Sequence, residues 1–111
     1  MEIKTEKTNG AVVLRVHGEI DLYNSPILKE EMETNREAGE TKFVINLDQV
    51  TYIDSSGIGA FISARKNLQK AGGELVLSCV HGTVRDVLVL TKLISFFLIF
   101  ETDTEAVAAI A

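Results

Sequence analysis

The passage from Phe43 to Gly59 constrains this chain most, because a strand pattern there turns into a helical one across a single cap. Phe43-Val44-Ile45-Asn46-Leu47 is nearly continuous in apolar residues, the composition of a strand covered on both faces. Asp54-Ser55-Ser56-Gly57-Ile58-Gly59 follows Val50-Thr51-Tyr52-Ile53. Asp54 and Ser55 are helix-capping types, since their side-chain oxygens accept hydrogen bonds from the first unpaired backbone N–H groups. Beyond the cap, Ile58, Phe61, Ile62 and Leu68 recur on one helical face, which would bury against a sheet. Ser56, Gly59, Ser63, Lys66, Asn67 and Lys70 fall on the other face. That face is smooth near the cap and basic only farther along, as suits a docking surface. Gly57 and Gly59 lack Cβ, which leaves room for another backbone or a partner at the first turn. A pair of hydroxyls is thus presented at the positive end of a helix dipole.

The rest of the chain arranges itself around this helix. Residues Ile3 to Thr8 alternate poorly and predict a marginal edge strand, and Asn9-Gly10 is a hairpin turn signal. Val12, Leu14 and Val16 alternate with Val13, Arg15 and His17, a half-buried strand ending in a loop at Gly18-Glu19-Ile20-Asp21. Ser25-Pro26 reads as N-cap and first helical residue of a helix from about Pro26 to Ala38, with Gly39 as its stop. Its acidic run of Glu30, Glu31, Glu33 and Glu37 reads as a solvated face. After the central helix ends at Ala71-Gly72-Gly73, Glu74 to Val80 predicts a buried strand and His81-Gly82-Thr83 starts a helix to about Leu90. Leu93 to Phe100 predicts the last strand, and Thr102 or Asp103 caps a short final helix. The expected fold class is therefore α/β: one domain over residues 1–111, with a mixed, mostly parallel sheet and about four helices.

Composition narrows the function. A chain of 111 residues supports one core. A net charge of −5 disfavours nucleic acid as a direct partner, because phosphate binding needs a basic surface. A lone Cys79 forms no internal disulfide, and the start Met1-Glu2-Ile3-Lys4 lacks the apolar segment of a signal peptide, so a cytoplasmic location is expected. The longest uncharged apolar piece, Leu93 to Phe100, is far shorter than the roughly 20 residues that span a bilayer, so no membrane partner is expected.

No enzymatic site is visible. His17, His81 and Cys79 lack companions at metal-ligand spacing, so structural roles are expected and neither metal nor cofactor. No G-x-S-x-G elbow surrounds Ser55 or Ser56, and Gly57-Ile58-Gly59 matches neither the dinucleotide fingerprint nor a P-loop. Asp21 follows a strand, where the simplest role is a turn aspartate bonding its own backbone. Val44-Ile45-Asn46-Leu47-Asp48 has the look of a receiver-domain acceptor aspartate at a strand end. Lys4-Thr5-Glu6-Lys7, however, lacks the acidic pair such a domain needs.

Asp54-Ser55-Ser56-Gly57-Ile58-Gly59, with Leu47 to Ile53 before it, resembles the signature of the STAS domain, and more narrowly that of the small bacterial anti-sigma factor antagonists. Gly18-Glu19-Ile20-Asp21, Ala71-Gly72-Gly73-Glu74-Leu75 and Phe100-Glu101-Thr102 with Glu105-Ala106 match as well, so the resemblance covers nearly the whole chain in order. It implies that Ser55 is phosphorylated and that the loop carrying Asp21 lies beside it. Asp21, Asp54, Ser56, Gly57, Gly59 and Ser63 would then belong to the partner-binding surface. Ser56 helps cap or shape the turn, and Asp54 caps the helix or helps position a kinase's nucleotide and metal. The implied partners are an anti-sigma factor that is also a serine kinase, and a serine phosphatase that resets the switch. Sigma-factor-dependent transcription would be the output, and the protein would be a substrate that catalyses nothing. The alternative is a STAS module that senses or scaffolds by binding a nucleotide or lipid, without a phosphorylation cycle. The sequence departs from the family at Lys92, Ile94 and Leu98, where glycine and two polar residues are usual. Some of Val89, Ile94 and Leu98 are therefore expected to be exposed, as a patch for weak self-association as a homodimer or for an unknown partner.

Overall fold

The computed structural model describes residues 1–111. Strand β1 (Glu2–Thr8) pairs antiparallel with β2 (Ala11–Ile20), and the turn between them places Asn9 at φ 49° and Gly10 at φ 81°, as the Asn-Gly pair predicts. Helix α1 (Ser25–Glu37), β3 (Lys42–Ile53), α2 (Ser55–Lys70), β4 (Glu74–Ser78), α3 (Gly82–Leu90), β5 (Ile99–Phe100) and α4 (Asp103–Ile110) follow. The sheet runs in sequence order β1-β2-β3-β4-β5, and β2 to β5 are parallel neighbours. Every crossover steps one strand in the same direction, so a common handedness puts α1, α2 and α3 on one face. Four helices on a five-stranded mixed sheet match the expected class.

Two apolar layers follow from that arrangement. Leu14, Ile20, Phe43, Ile45, Leu75 and Leu77 meet Leu28, Ile58, Phe61 and Leu88 between the sheet and helices α1 to α3. Ala11, Val13, Val44 and Val76 lie on the other face under Ala106 and Val107 of α4. The strand predicted as half-buried is buried on both faces only over Ala11 to Leu14, where α4 covers the second face; Arg15 and His17 on that face stay partly exposed, as expected.

A polar row helps seat α4. Arg15, Asn46 and Ser78 are register neighbours across β2, β3 and β4, and all three reach Asp103. Ser78 Oγ donates at 2.6 Å, Asn46 Nδ2 at 2.9 Å and Arg15 at 3.0 Å. Thr102, not Asp103, is the cap, accepting from the Glu105 N–H at 3.1 Å.

Four expectations are corrected. Gly18 to Ile20 continue β2 instead of forming a loop, because β3 itself extends to Ile53 and pairs with them across two register shifts. Strand β4 stops at Ser78, where Cys79 takes φ 57°. Ser25 lies inside α1 and is buried, while Asn24 holds the cap position without a side-chain bond. The predicted strand from Leu93 to Phe100 is a 3₁₀ turn (Ile94–Phe96) followed by the two residues of β5. Burial without alternation comes from Phe97, whose ring meets Phe61 edge-on at 6.4 Å, while Leu98 remains 47% exposed.

Candidate functional site at the start of helix α2

Asp54 organises this site. Its backbone is extended (φ −111°, ψ −175°), and Oδ1 accepts from the N–H groups of Ser56 at 2.9 Å and Gly57 at 3.2 Å. Two orphan donors of the first helical turn are thereby satisfied, the capping role read from the sequence. Oδ2 accepts from the Leu22 N–H at 3.2 Å, and the Asp54 N–H donates to the Ile20 carbonyl at 3.1 Å. One residue therefore ties the loop after β2 to the start of α2.

Ser55 is the first residue of α2 and stands exposed, whereas Ser56 is half-buried. An added group at Ser55 faces water and the positive end of a four-turn helix. Farther along the same helix, Gly59 and Ser63 are exposed, as expected for the smooth face.

Gly57 belongs elsewhere. It is buried, and a Cβ there would lie 2.5 Å from Ile20 Cγ2 and 2.9 Å from Ile53 Cγ1. The missing side chain lets α2 sit close on the sheet, so its absence is a packing requirement and not an opening for a partner. A Cβ at Gly59, by contrast, meets nothing within 4 Å.

Asp21 serves its own turn. Its Oδ1 accepts from Tyr23 N–H at 3.0 Å and Asn24 N–H at 2.9 Å, and its carbonyl accepts from Ser25 N–H at 2.8 Å. The loop carrying it nonetheless reaches α2 through the Leu22–Asp54 bond. Sequence reasoning missed two residues of that loop: Leu22 is 65% exposed and Tyr23 is 85% exposed. The available signal was an apolar pair following a turn aspartate, where polar residues are usual.

Away from this end, a groove of about 480 Å³ runs between α1 and α2, floored by Met32, Phe43, Ala60 and Leu68, with Ser63 and Lys29 at its rim. Asp48 lies within β3 and not at its end, and its carboxylate is 3.2 Å from His81 Nε2. Burial pushes the Cys79 thiol above its ordinary 9.0, and Asp103 and Asp48 add to the rise, so the sulfur is held as a thiol. Burial also pushes the Glu74 carboxyl up, but the hydrogen bonds from Arg65 and the Leu75 N–H outweigh it and hold Glu74 below the ordinary 4.5. No helix is long and apolar enough to cross a membrane.

Residues 2–106 match the STAS domain. The chain belongs to the STAS domain family. This STAS domain is 39% identical over 77 residues to the anti-sigma-B factor antagonist of Listeria monocytogenes, covering 69% of this chain and 67% of that protein. It is 30% identical over 93 residues to the anti-sigma-B factor antagonist of Staphylococcus aureus, covering 84% and 86%. Among solved structures, the anti-sigma factor antagonist SpoIIAA in its unphosphorylated form superposes with a TM-score of 0.81 at 25% identity, over 97% of this STAS domain and 95% of that chain.

Proposed function

We propose that this STAS domain is an anti-sigma factor antagonist. In its unphosphorylated form it binds an anti-sigma factor that is also a serine kinase, freeing the sigma factor for transcription in the cytoplasm. The kinase transfers a phosphoryl group from ATP to Ser55, the complex dissociates, and a serine phosphatase restores the binding form.

The observation that carries this reading is the arrangement at the start of α2: an exposed Ser55, capped by Asp54, beside a helix face that stays free of bulk at Gly59. Glycine inside a helix costs roughly 0.5–1 kcal/mol relative to alanine. With open space around Gly59, packing gives no reason to retain that cost. Close approach by a partner does. The likeness to the antagonists of Listeria monocytogenes and Staphylococcus aureus supports the same reading.

Asp54, Ser56 and Ser63 complete the proposed contact surface, with Asp54 acting mainly by holding the Ser56 and Gly57 N–H groups of the turn that Ser55 opens. Asp21 enters through the loop it shapes. Phosphorylation works locally, since the new charge meets a favourable dipole in the fold but an unfavourable neighbour in the interface.

Incubation with ATP and the cognate kinase tests the reading. One phosphate is expected, on Ser55; Ser55→Ala abolishes labelling and Ser56→Ala leaves it largely intact. Fragment spectra that put the phosphate on Ser56, or full labelling of Ser55→Ala, contradict the assignment.

A further inference from the structure

The loop between β2 and α1 carries exposed apolar side chains on a hydrogen-bonded backbone. Leu22 and Tyr23 are 65% and 85% exposed, and Ile27 in the first turn of α1 is 49% exposed. A single exposed apolar side chain needs no explanation, but several grouped on one surface mark an interaction site. This segment is pinned. The Leu22 N–H is held by Asp54 Oδ2, the Tyr23 and Asn24 N–H groups by Asp21 Oδ1, and the Asn24 amide donates to the Glu19 carbonyl at 3.1 Å. The Ser25 N–H returns to the Asp21 carbonyl at 2.8 Å. None of these bonds uses the Leu22 or Tyr23 side chain, so the backbone is fixed while both apolar groups face outward.

We infer that Leu22 and Tyr23 form the affinity anchor for the kinase that modifies Ser55. This rests on the reading above and extends it, naming the kind of surface the kinase carries: an apolar recess beside its nucleotide site, with a polar lip for the Tyr23 hydroxyl. Three observations select that occupant. First, the loop is continuous with the site, because the Asp54 that holds Leu22 also caps the helix that Ser55 opens. Second, an exposed tyrosine on a fixed backbone is an economical binding group: it offers a large amphipathic area with little entropy left to lose. Third, charge argues against an anionic lipid surface. The loop is bordered by Glu19, Asp21 and Asp54, and residues 19–27 contain neither lysine nor arginine. The anchor and the phosphorylated hydroxyl thus belong to one hydrogen-bonded unit, so docking the loop also registers Ser55 for transfer.

The test compares Leu22→Ala, Tyr23→Ala and Tyr23→Phe in the full chain. Titration calorimetry measures affinity for the serine kinase that phosphorylates the wild-type protein, and mass spectrometry follows the rate of Ser55 phosphorylation. Tyr23→Ala is expected to weaken binding at least about tenfold, as truncation of an interface hot spot does, and Leu22→Ala several-fold. Tyr23→Phe should stay within about threefold, since the ring supplies most of the area. Melting temperatures should not move, because neither side chain is in the core. If both alanine variants bind and are phosphorylated like wild type, the anchor assignment is overturned while the Ser55 reading stands. If no kinase binds or modifies wild type, both fall. A concentration-dependent dimer that Tyr23→Ala dissociates, with kinase affinity unchanged, overturns the assignment in favour of a second copy of the chain.

Discussion

The two glycines at the start of α2 should respond to alanine in opposite directions. At Gly57 the new Cβ would lie 2.5 Å from Ile20 Cγ2, 2.9 Å from Ile53 Cγ1 and 3.3 Å from Ile20 Cβ. Ile20 and Ile53 are 0% and 1% exposed, and both are β-branched, so neither turns aside without disturbing the core. Overpacking of this kind costs typically about 1–3 kcal/mol, against roughly 1 kcal/mol gained from helix propensity. Two contacts below 3.0 Å put Gly57→Ala in the upper part of that range, about 2–3 kcal/mol, so the net expectation is a loss of about 1–2 kcal/mol. At Gly59 no atom lies within 4 Å of the added Cβ, so only the propensity gain remains. Gly59→Ala should therefore stabilise by about 0.5–1 kcal/mol. For a domain of this size 1 kcal/mol moves the melting temperature by roughly 4 °C. Thermal unfolding followed by circular dichroism should then show Gly57→Ala about 4–8 °C below wild type and Gly59→Ala about 2–4 °C above it. A Gly57→Ala protein as stable as wild type would refute the close approach of α2 to Ile20 and Ile53. A destabilised Gly59→Ala protein would mean that Gly59 has a structural role, and would remove the main support for a docking face.

Other consequences concern the ionisable groups. Glu74 has its folded pKa below its unfolded value, so the stability it contributes is complete above about pH 4.5 and is lost as pH falls through the lower folded value. Glu74→Gln should lower the melting temperature at pH 7, and the difference from wild type should shrink in acid below about pH 4; a difference that persists there would assign the effect to packing. Cys79, its pKa raised by burial, should react with iodoacetamide at pH 8 more slowly than a small free thiol; equal rates would mean that the thiol is more open than its surroundings imply. Asp103→Asn should speed amide exchange selectively in α4, because the Arg15, Asn46 and Ser78 donors then converge on a neutral group; exchange unchanged in α4 would leave its apolar contacts as the sole anchor.

Much of this fold was legible because its signals are local. Asn9-Gly10 can adopt the positive φ values of a hairpin turn, and Asp54 carries the oxygen that a helix start needs. What local patterns do not encode is what covers an element. Val13 looked solvent-facing because α4, which buries it, is distant in sequence. Leu93 to Phe100 looked like a strand because apolar content marks burial without saying how. An edge position and the Phe97–Phe61 contact made it an irregular segment instead. The site divides in the same way. Gly59, Ser63, Lys66, Asn67 and Lys70 were readable as an exposed face from helical spacing alone, whereas Ser56, assigned to the same face, is half-buried in the first turn. Gly57 was not, since which side of it is crowded depends on Ile20, brought close by the β2–β3 ladder. Leu22 and Tyr23 escaped notice because an apolar pair in a loop has no periodicity to set it apart.

The central claim is that charge on Ser55 breaks a binding surface without altering the fold. A phosphoserine carries about −1.5 to −2 charges at neutral pH. At an effective dielectric near 20, a like unit charge about 6 Å away costs roughly 2–3 kcal/mol, equivalent to a loss of affinity of roughly 30- to 150-fold. Asp54 and the loop of Asp21 stand beside the same helix start and add to that field. The direct measurement is the dissociation constant for the anti-sigma factor kinase of wild type, Ser55-phosphorylated protein and Ser55→Asp, each at low and high salt. The expected result is a loss of at least tenfold on phosphorylation, a weaker loss for Ser55→Asp, partial recovery in high salt and an unchanged melting temperature. Equal affinity of the phosphorylated and unphosphorylated forms would contradict the account outright.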